Sequence, residues 1–280
     1  MNRRRPVVTA VAVFCLVFLY APSVAVAVFS LNQARYGLAW KGFTWKWYVQ
    51  LFNNQAVLDA AWNSLLTAGV STAVATILGT ALALGLDRFP WPARLKGAMD
   101  VVVHLPVVTP DIILAAALVL TFSFFQPLAG ILETGRTTLI IGHVTFQISF
   151  VALVVRGRLA ALGRELDEAA RDLYASGLYL FLRVTLPLIW PGVLAGAMLA
   201  FTLSLDDFII SFFTHGPDSV TLPIYIYSSI RRGLSPEIHA LSTLVLLATV
   251  VLVVLAERLA GLLVYSAGAS GSKTSSKNSG

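Results

Sequence analysis

The feature that most constrains this chain is the length of its uncharged apolar runs. Ser64 to Leu86 carries no charged side chain, and neither does Val7 to Phe29. The hydrocarbon core of a bilayer, about 30 Å thick, is crossed by about 20 helical residues. Six candidate spans follow, near residues 7–29, 64–86, 101–125, 137–155, 190–213 and 240–260. The third is interrupted by His104, Pro106, Pro110 and Asp111, and the fifth contains Asp206 and Asp207. The expectation is an all-α, polytopic transmembrane helical bundle of about six spans, occupying residues 1–265.

Composition agrees. Charged residues make up 12% of the chain and hydrophobic ones 57%, whereas soluble domains carry about 25% charged residues. Arg3, Arg4 and Arg5, the following apolar stretch and Ala25-Val26-Ala27 imitate a secretory signal peptide. The apolar run continues to Phe29 and five more spans follow, so the segment reads as an uncleaved anchor. With the N-terminus inside, 14 of the 20 Lys and Arg residues fall in inner segments, as the positive-inside rule requires. The net charge of +6 therefore reflects topology and not nucleic-acid binding. Trp40, Trp45, Trp47, Tyr48 and Trp62 in the first outer segment suit the headgroup layer. The lone Cys15 allows no intrachain disulfide. Residues 266–280, rich in Ser, Gly and Lys, read as a disordered tail.

The longest inner loop, 156–187, is different in kind. Between Gly163 and Gly177, Leu166, Ala169, Ala170 and Leu173 share one helical face, while Glu165, Asp167, Glu168 and Asp172 dominate the other. This predicts a short amphipathic helix stopped at Gly177, too short to span. Helices lying on lipid usually carry Lys and Arg on the polar face. An acidic face suits a protein surface better, although the lipid-lying alternative stays open.

Glu168-Ala169-Ala170 followed by Val184-Thr185-Leu186-Pro187 resembles the EAA loop of bacterial ATP-binding cassette (ABC) importer permeases. That pattern runs Glu-Ala-Ala, three residues, Gly, nine residues, Ile, one residue, Leu-Pro. Val184 replaces the Ile and Tyr174 the Gly, with Gly177 three residues late. The resemblance implies the type I importer permease fold in the bacterial inner (cytoplasmic) membrane, multi-pass with both termini cytoplasmic. It also implies a coupling helix seated on an ABC ATPase dimer, a homologous sister permease and a periplasmic substrate-binding protein. Glu165, Glu168, Ala169, Ala170, Leu173, Tyr174, Gly177, Leu186 and Pro187 would form the coupling contact.

Within the superfamily the chain is most similar to the spermidine/putrescine permeases of the PotC and PotI type. The likeness lies in Val101 to Leu114, Leu203 to Phe208 with Thr214-His215-Gly216-Pro217, and Thr221 to Tyr227 leading into Gly233 to Glu237. Importers of opines, phosphonates or thiamine share much of this layout, so another small solute stays open. Asp206, Asp207 and Asp111 are intramembrane acids without Lys or Arg in the same spans, which suits a cationic substrate. Insertion scales put the cost of such a charge at about 2.5–3.5 kcal/mol, so it faces water or a partner. Successive helical residues point about 100° apart, so Asp206 and Asp207 cannot both face one path in an unbroken helix. One of them, like Asp111 after Pro110, could instead cap a helix. Tyr225 and Tyr227 could stack on ammonium groups or simply line an outer surface.

No P-loop is present; Gly271-Ser272-Lys273-Thr274 lacks the Gly before Lys. His104, His143, His215 and His239 show no metal-ligand spacing. The expectation is a transport subunit, not an enzyme, holding no cofactor itself, with ATP and Mg bound by a separate ATPase. A stand-alone secondary transporter would show inverted repeats, and none is visible.

Overall fold

The computed structural model describes residues 5–34, 39–129, 132–163, 165–232 and 236–251, with 254 and 258. The expected tail and the Gly233-Leu234-Ser235 link lie outside that set, as does most of the chain beyond residue 251. Twelve helices are described: α1 (Arg5–Phe29), α2 (Lys46–Phe52), α3 (Gln55–Arg88), α4 (Ala93–Val108), α5 (Asp111–Ala129), α6 (Arg136–Leu162), α7 (Glu165–Asp172), α8 (Gly177–Leu180), α9 (Leu186–Asp206), α10 (Ile209–Thr214), α11 (Leu222–Arg232) and α12 (Pro236–Val251). A single bridge, Asn32 to Phe43, is the only β pairing among the described residues.

Four runs are long and apolar enough to cross a membrane: Val7–Phe29, Gln55–Arg88, Arg136–Leu162 and Gly177–Asp206. The third expected span is not one rod. α4 and α5 meet at a 111° bend. Its cause is Pro110, which disfavours helical backbone in the residue before it; Thr109 accordingly sits at φ −74°, ψ 133°. Counting this bent pair as one span gives five. The fifth expected span also differs: it begins earlier, at Gly177, and breaks after Asp206, with α10 following as a separate short helix. α12 is an apolar helix below spanning length within the described residues.

The chain divides into two compact units, residues 1–59 with 225–255, and residues 60–224 with 256–280. In the second, α6 packs chiefly on α9, and glycines permit the approach. A Cβ on Gly192 would lie 2.7 Å from Arg158 Cβ, and one on Gly79 of α3 would lie 2.8 Å from Ile148 O and Val151 Cβ. Close packing at small residues is how helices associate where lipid removes the hydrophobic drive between them. Around these contacts Ala83, Leu86, Val103, Val151, Val155, Ile189 and Val193 form the core. A second cluster, Ala115, Leu118, Phe122, Phe146 and Ile210, ties α5 and α10 to α6.

The end of this unit nearest the start of α6 is tied by polar bonds. Asn63 Nδ2 donates to the carbonyls of Asp218 and Val220. Arg136 donates to Asn63 Oδ1, the Leu222 amide to Ser64 Oγ, and Thr138 Oγ1 to the Thr214 carbonyl. Gly216 lies so close to the 134–135 turn that a Cβ would overlap Thr134 O.

In the other unit, α1 buries none of its described side chains, and most of the apolar ones from Val7 to Val28 are exposed. Trp40, Phe43 and Trp45 are exposed as well. Trp47, expected in the same aromatic belt, is instead buried, its Nε1 donating to Asn32 O at 2.8 Å.

Candidate functional site

The 163–187 segment leaves α6 at Gly163, whose φ of +68° turns the chain, and whose carbonyl accepts from Arg88 at 3.4–3.5 Å. α7 then runs Glu165–Asp172. The side chains of Leu166, Asp167 and Arg171, and all of Arg164, lie outside the described set. Among the described ones, Glu165, Glu168, Ala169 and Asp172 are exposed and Ala170 is half-buried. Leu173 is 82% exposed and Tyr174 97%. Leu178, Tyr179 and Leu182 extend this exposed apolar edge.

Gly177 is not the helix stop. The helix ends at Asp172 and is closed at Tyr174, which has φ +58°, while the Ala175 amide donates to the Ala170 carbonyl at 3.1 Å. That six-to-one bond around a left-handed residue is the Schellman cap, a position usually filled by Gly. Tyr174 therefore occupies a backbone conformation that glycine adopts without strain. Gly177 instead opens α8, capped by Ser176, whose Oγ accepts from the Tyr179 amide.

Between α8 and α9, Phe181–Thr185 forms one π-helical turn, closed by the Leu186 amide donating to Phe181 O. Pro187, exposed at the start of α9, lacks an N–H and crowds the carbonyl four residues back. This is a local reason for the wider turn. Leu186 is half-buried and packs on the core. Arg158 Nε adds a bond to Leu188 O. Leu178, Tyr179 and Leu182 of this edge thus belong with α9 to one helical run, Gly177–Asp206, which Leu173 and Tyr174 precede.

At the far end of that run the two acids separate. Asp206 is the last residue of α9 and is exposed. Asp207 is extended, at φ −63°, ψ 124°. Its carboxylate accepts from the amides of Ile210 (3.3 Å) and Ser211 (2.7 Å), so it caps α10. His143, fully buried on α6, brings Nε2 to 3.4 Å from Asp207 Oδ2 and 2.9 Å from Ser211 Oγ. Its Nδ1 lies 2.6 Å from Ser204 Oγ. Gln147, one turn along, is also fully buried and donates to Ala200 O.

The other candidates are not gathered here. Asp111 is exposed in the first turn of α5. Tyr225 accepts from Asn54 Nδ2 at 3.4 Å, and the Tyr227 ring lies 5.9 Å from the Arg231 guanidinium, so both tyrosines already have partners within the chain. The sequence pattern passed over His143, yet a signal existed. His143 and Gln147 stand four apart in an apolar helix, a buried polar face. Among the described residues no group of three His, Cys, Asp or Glu side chains suits a metal.

Residues 75–266 match the family described as "binding-protein-dependent transport system inner membrane component". The chain is 39% identical over 232 residues to the putrescine transport system permease protein PotI of Escherichia coli, covering 82% of each. It is 38% identical to the spermidine/putrescine permease PotC of the same organism, covering 87% of this chain and 89% of that one. Among solved structures it is similar to a bacterial ABC transporter importing the acidic polysaccharide alginate, with a TM-score of 0.72, 18% identity, and 91% and 94% coverage. It is also similar to the inward-facing methionine transporter MetNI, with a TM-score of 0.62, 19% identity, and 79% and 99% coverage. At these identities the structural likeness establishes the fold, that of an ABC importer's transmembrane subunit.

Proposed function

The chain belongs to the family of binding-protein-dependent transport system inner membrane components, and we propose that it forms half of the translocation path of an ABC importer for polyamines such as putrescine and spermidine. The observation that carries this reading is the single helical run Gly177–Asp206, with an exposed apolar docking edge at one end and an exposed carboxylate at the other. About 30 Å of helix separates Leu186 from Asp206. A displacement of Leu178, Tyr179 and Leu182 at the start of the run therefore reaches Asp206 along one element, the kind of two-state connection coupling requires.

In this reading α7, with Glu165, Glu168, Ala169, Ala170, Leu173 and Tyr174, docks in the cleft of an ATPase subunit. Leu186 and Pro187 carry its movement into α9. ATP and Mg are bound by that ATPase dimer. A homologous sister permease completes the path, a periplasmic protein delivers the substrate, and both termini of this chain lie in the cytoplasm. Asp206, exposed where a carboxylate against lipid would be costly, meets an ammonium group of the substrate. The permease relatives named for putrescine and spermidine supply the substrate class.

The test is uptake of labelled putrescine and spermidine by cells carrying the full importer. The wild type accumulates both, and Asp206→Asn raises the half-saturation concentration about tenfold, the loss of roughly 1.4 kcal/mol of binding. Uptake by Asp206→Asn equal to wild type removes Asp206 from the path.

A further inference from the structure

The acids at the end of α9 leave an open question: what keeps Asp206 turned to the path while its neighbour is committed elsewhere. An ordinary helix would carry through residues 206 and 207, and the break needs a cause. Neither proline nor glycine stands within it; the sequence reads Leu205-Asp206-Asp207-Phe208. The amides that the break exposes at Ile210 and Ser211 are bonded by the Asp207 carboxylate. That carboxylate is only 9% exposed, so it needs partners of its own.

His143 is the partner on the facing helix. A neutral imidazole offers one donor and one acceptor. A carboxylate only accepts, so the neutral tautomer that bonds Asp207 is the one with Nε2–H, shared with Ser211 Oγ, and in that tautomer Nδ1 accepts from the Ser204 hydroxyl. Ser204 in turn lies 3.5 Å from Ser71 Oγ on α3. One side chain thus reaches Ser204 before the break and Asp207 and Ser211 after it. The three partners span the break on both sides, and α6 carries the imidazole as a fixed post.

We propose that His143 is a positioning residue of the translocation path: bonded to Ser204, Asp207 and Ser211, it fixes the α9–α10 break and so aims the Asp206 carboxylate at the cationic substrate. The substrate half of this inference rests on the polyamine reading; the geometric half does not. Replacing the imidazole with an apolar side chain removes the post and takes from the buried Asp207 one of its two side-chain partners, leaving Ser211. α9 and α10 then repack, and Asp206 no longer presents to the path.

Two measurements test this. In a Cys15→Ser background, Asp206→Cys is labelled with a cationic, membrane-impermeant thiol reagent, with no polyamine present. Adding His143→Leu slows labelling about tenfold, and His143→Gln, which keeps a donor and an acceptor, restores most of the rate. In uptake, His143→Leu raises the half-saturation concentration for labelled spermidine about tenfold with the maximal rate within about twofold, and adds nothing in an Asp206→Asn background, because residues acting through one another are not additive. Should His143→Leu fail to accumulate in the membrane, Ser204→Ala, which removes one arm of the network, is read in the same assays and gives a smaller change of the same kind. Unchanged labelling, or an uptake defect that adds in full to Asp206→Asn, overturns the proposal. Labelling of the Asp206→Cys variants as expected, beside a wild type that takes up no polyamine, overturns the substrate reading alone.

Discussion

Tyr174→Gly and Tyr174→Ala form a matched pair, because both remove the ring and differ only in tolerance of a left-handed backbone. Tyr174 has φ +58°, a conformation that costs an L-residue roughly 1–2 kcal/mol and glycine almost nothing. Glycine's greater freedom in the open state returns about 0.5–1 kcal/mol of that. The net advantage of Gly over Ala is then about 0.5–1 kcal/mol, or two- to fivefold in the opening equilibrium of the cap. The amide that reports it is Ala175 N–H, which closes the cap on Ala170 O. Hydrogen exchange followed in a peptide spanning α7 and Ala175 should be two- to fivefold slower in Tyr174→Gly than in Tyr174→Ala. Exchange as fast or faster in the Gly variant would refute the cap, and with it the explanation of why the family pattern places Gly at this position. The Tyr-to-Ala difference in ATPase retention then reports the ring's own contribution to docking.

Gly192→Ala drives a methyl into the stem of Arg158, 2.7 Å from its Cβ; overpacking of this kind costs about 1–3 kcal/mol, seen as a lowered midpoint in a thermal solubility assay of the detergent-purified protein. Asp207→Ala leaves the Ile210 and Ser211 amides without their acceptor. A lost cap costs about 0.5–2 kcal/mol, and this variant should be measurably less stable than Asp206→Ala, whose side chain is exposed; equal stability of the two would remove Asp207 from its capping role.

The helical class and the amphipathic α7 were legible because each rests on local pattern: apolar runs for one, period-3.6 alternation with an acidic face for the other. The two breaks were less so. Pro110 announces the α4–α5 bend, but its 111° size depends on how the halves pack. The α9–α10 break has no proline to mark it and arises from a carboxylate and an imidazole brought together from residues 207 and 143, a tertiary event. Sequence reasoning allowed one of the two acids to be a cap, and the contact with His143 decides that it is Asp207. In sequence, Tyr174 stands where the pattern has Gly and Gly177 comes three residues late; only the backbone torsion reveals that position 174 keeps the left-handed conformation while position 177 opens α8.

Coupling of α7 to a separate ATPase, as proposed above, is tested by uptake of labelled spermidine into vesicles holding the full importer, wild type beside Glu168→Ala, with and without ATP. Uptake should occur only with ATP, and Glu168→Ala should lose uptake and retain the ATPase more weakly on purification. Uptake by this chain alone, with neither ATP nor the ATPase, would contradict it.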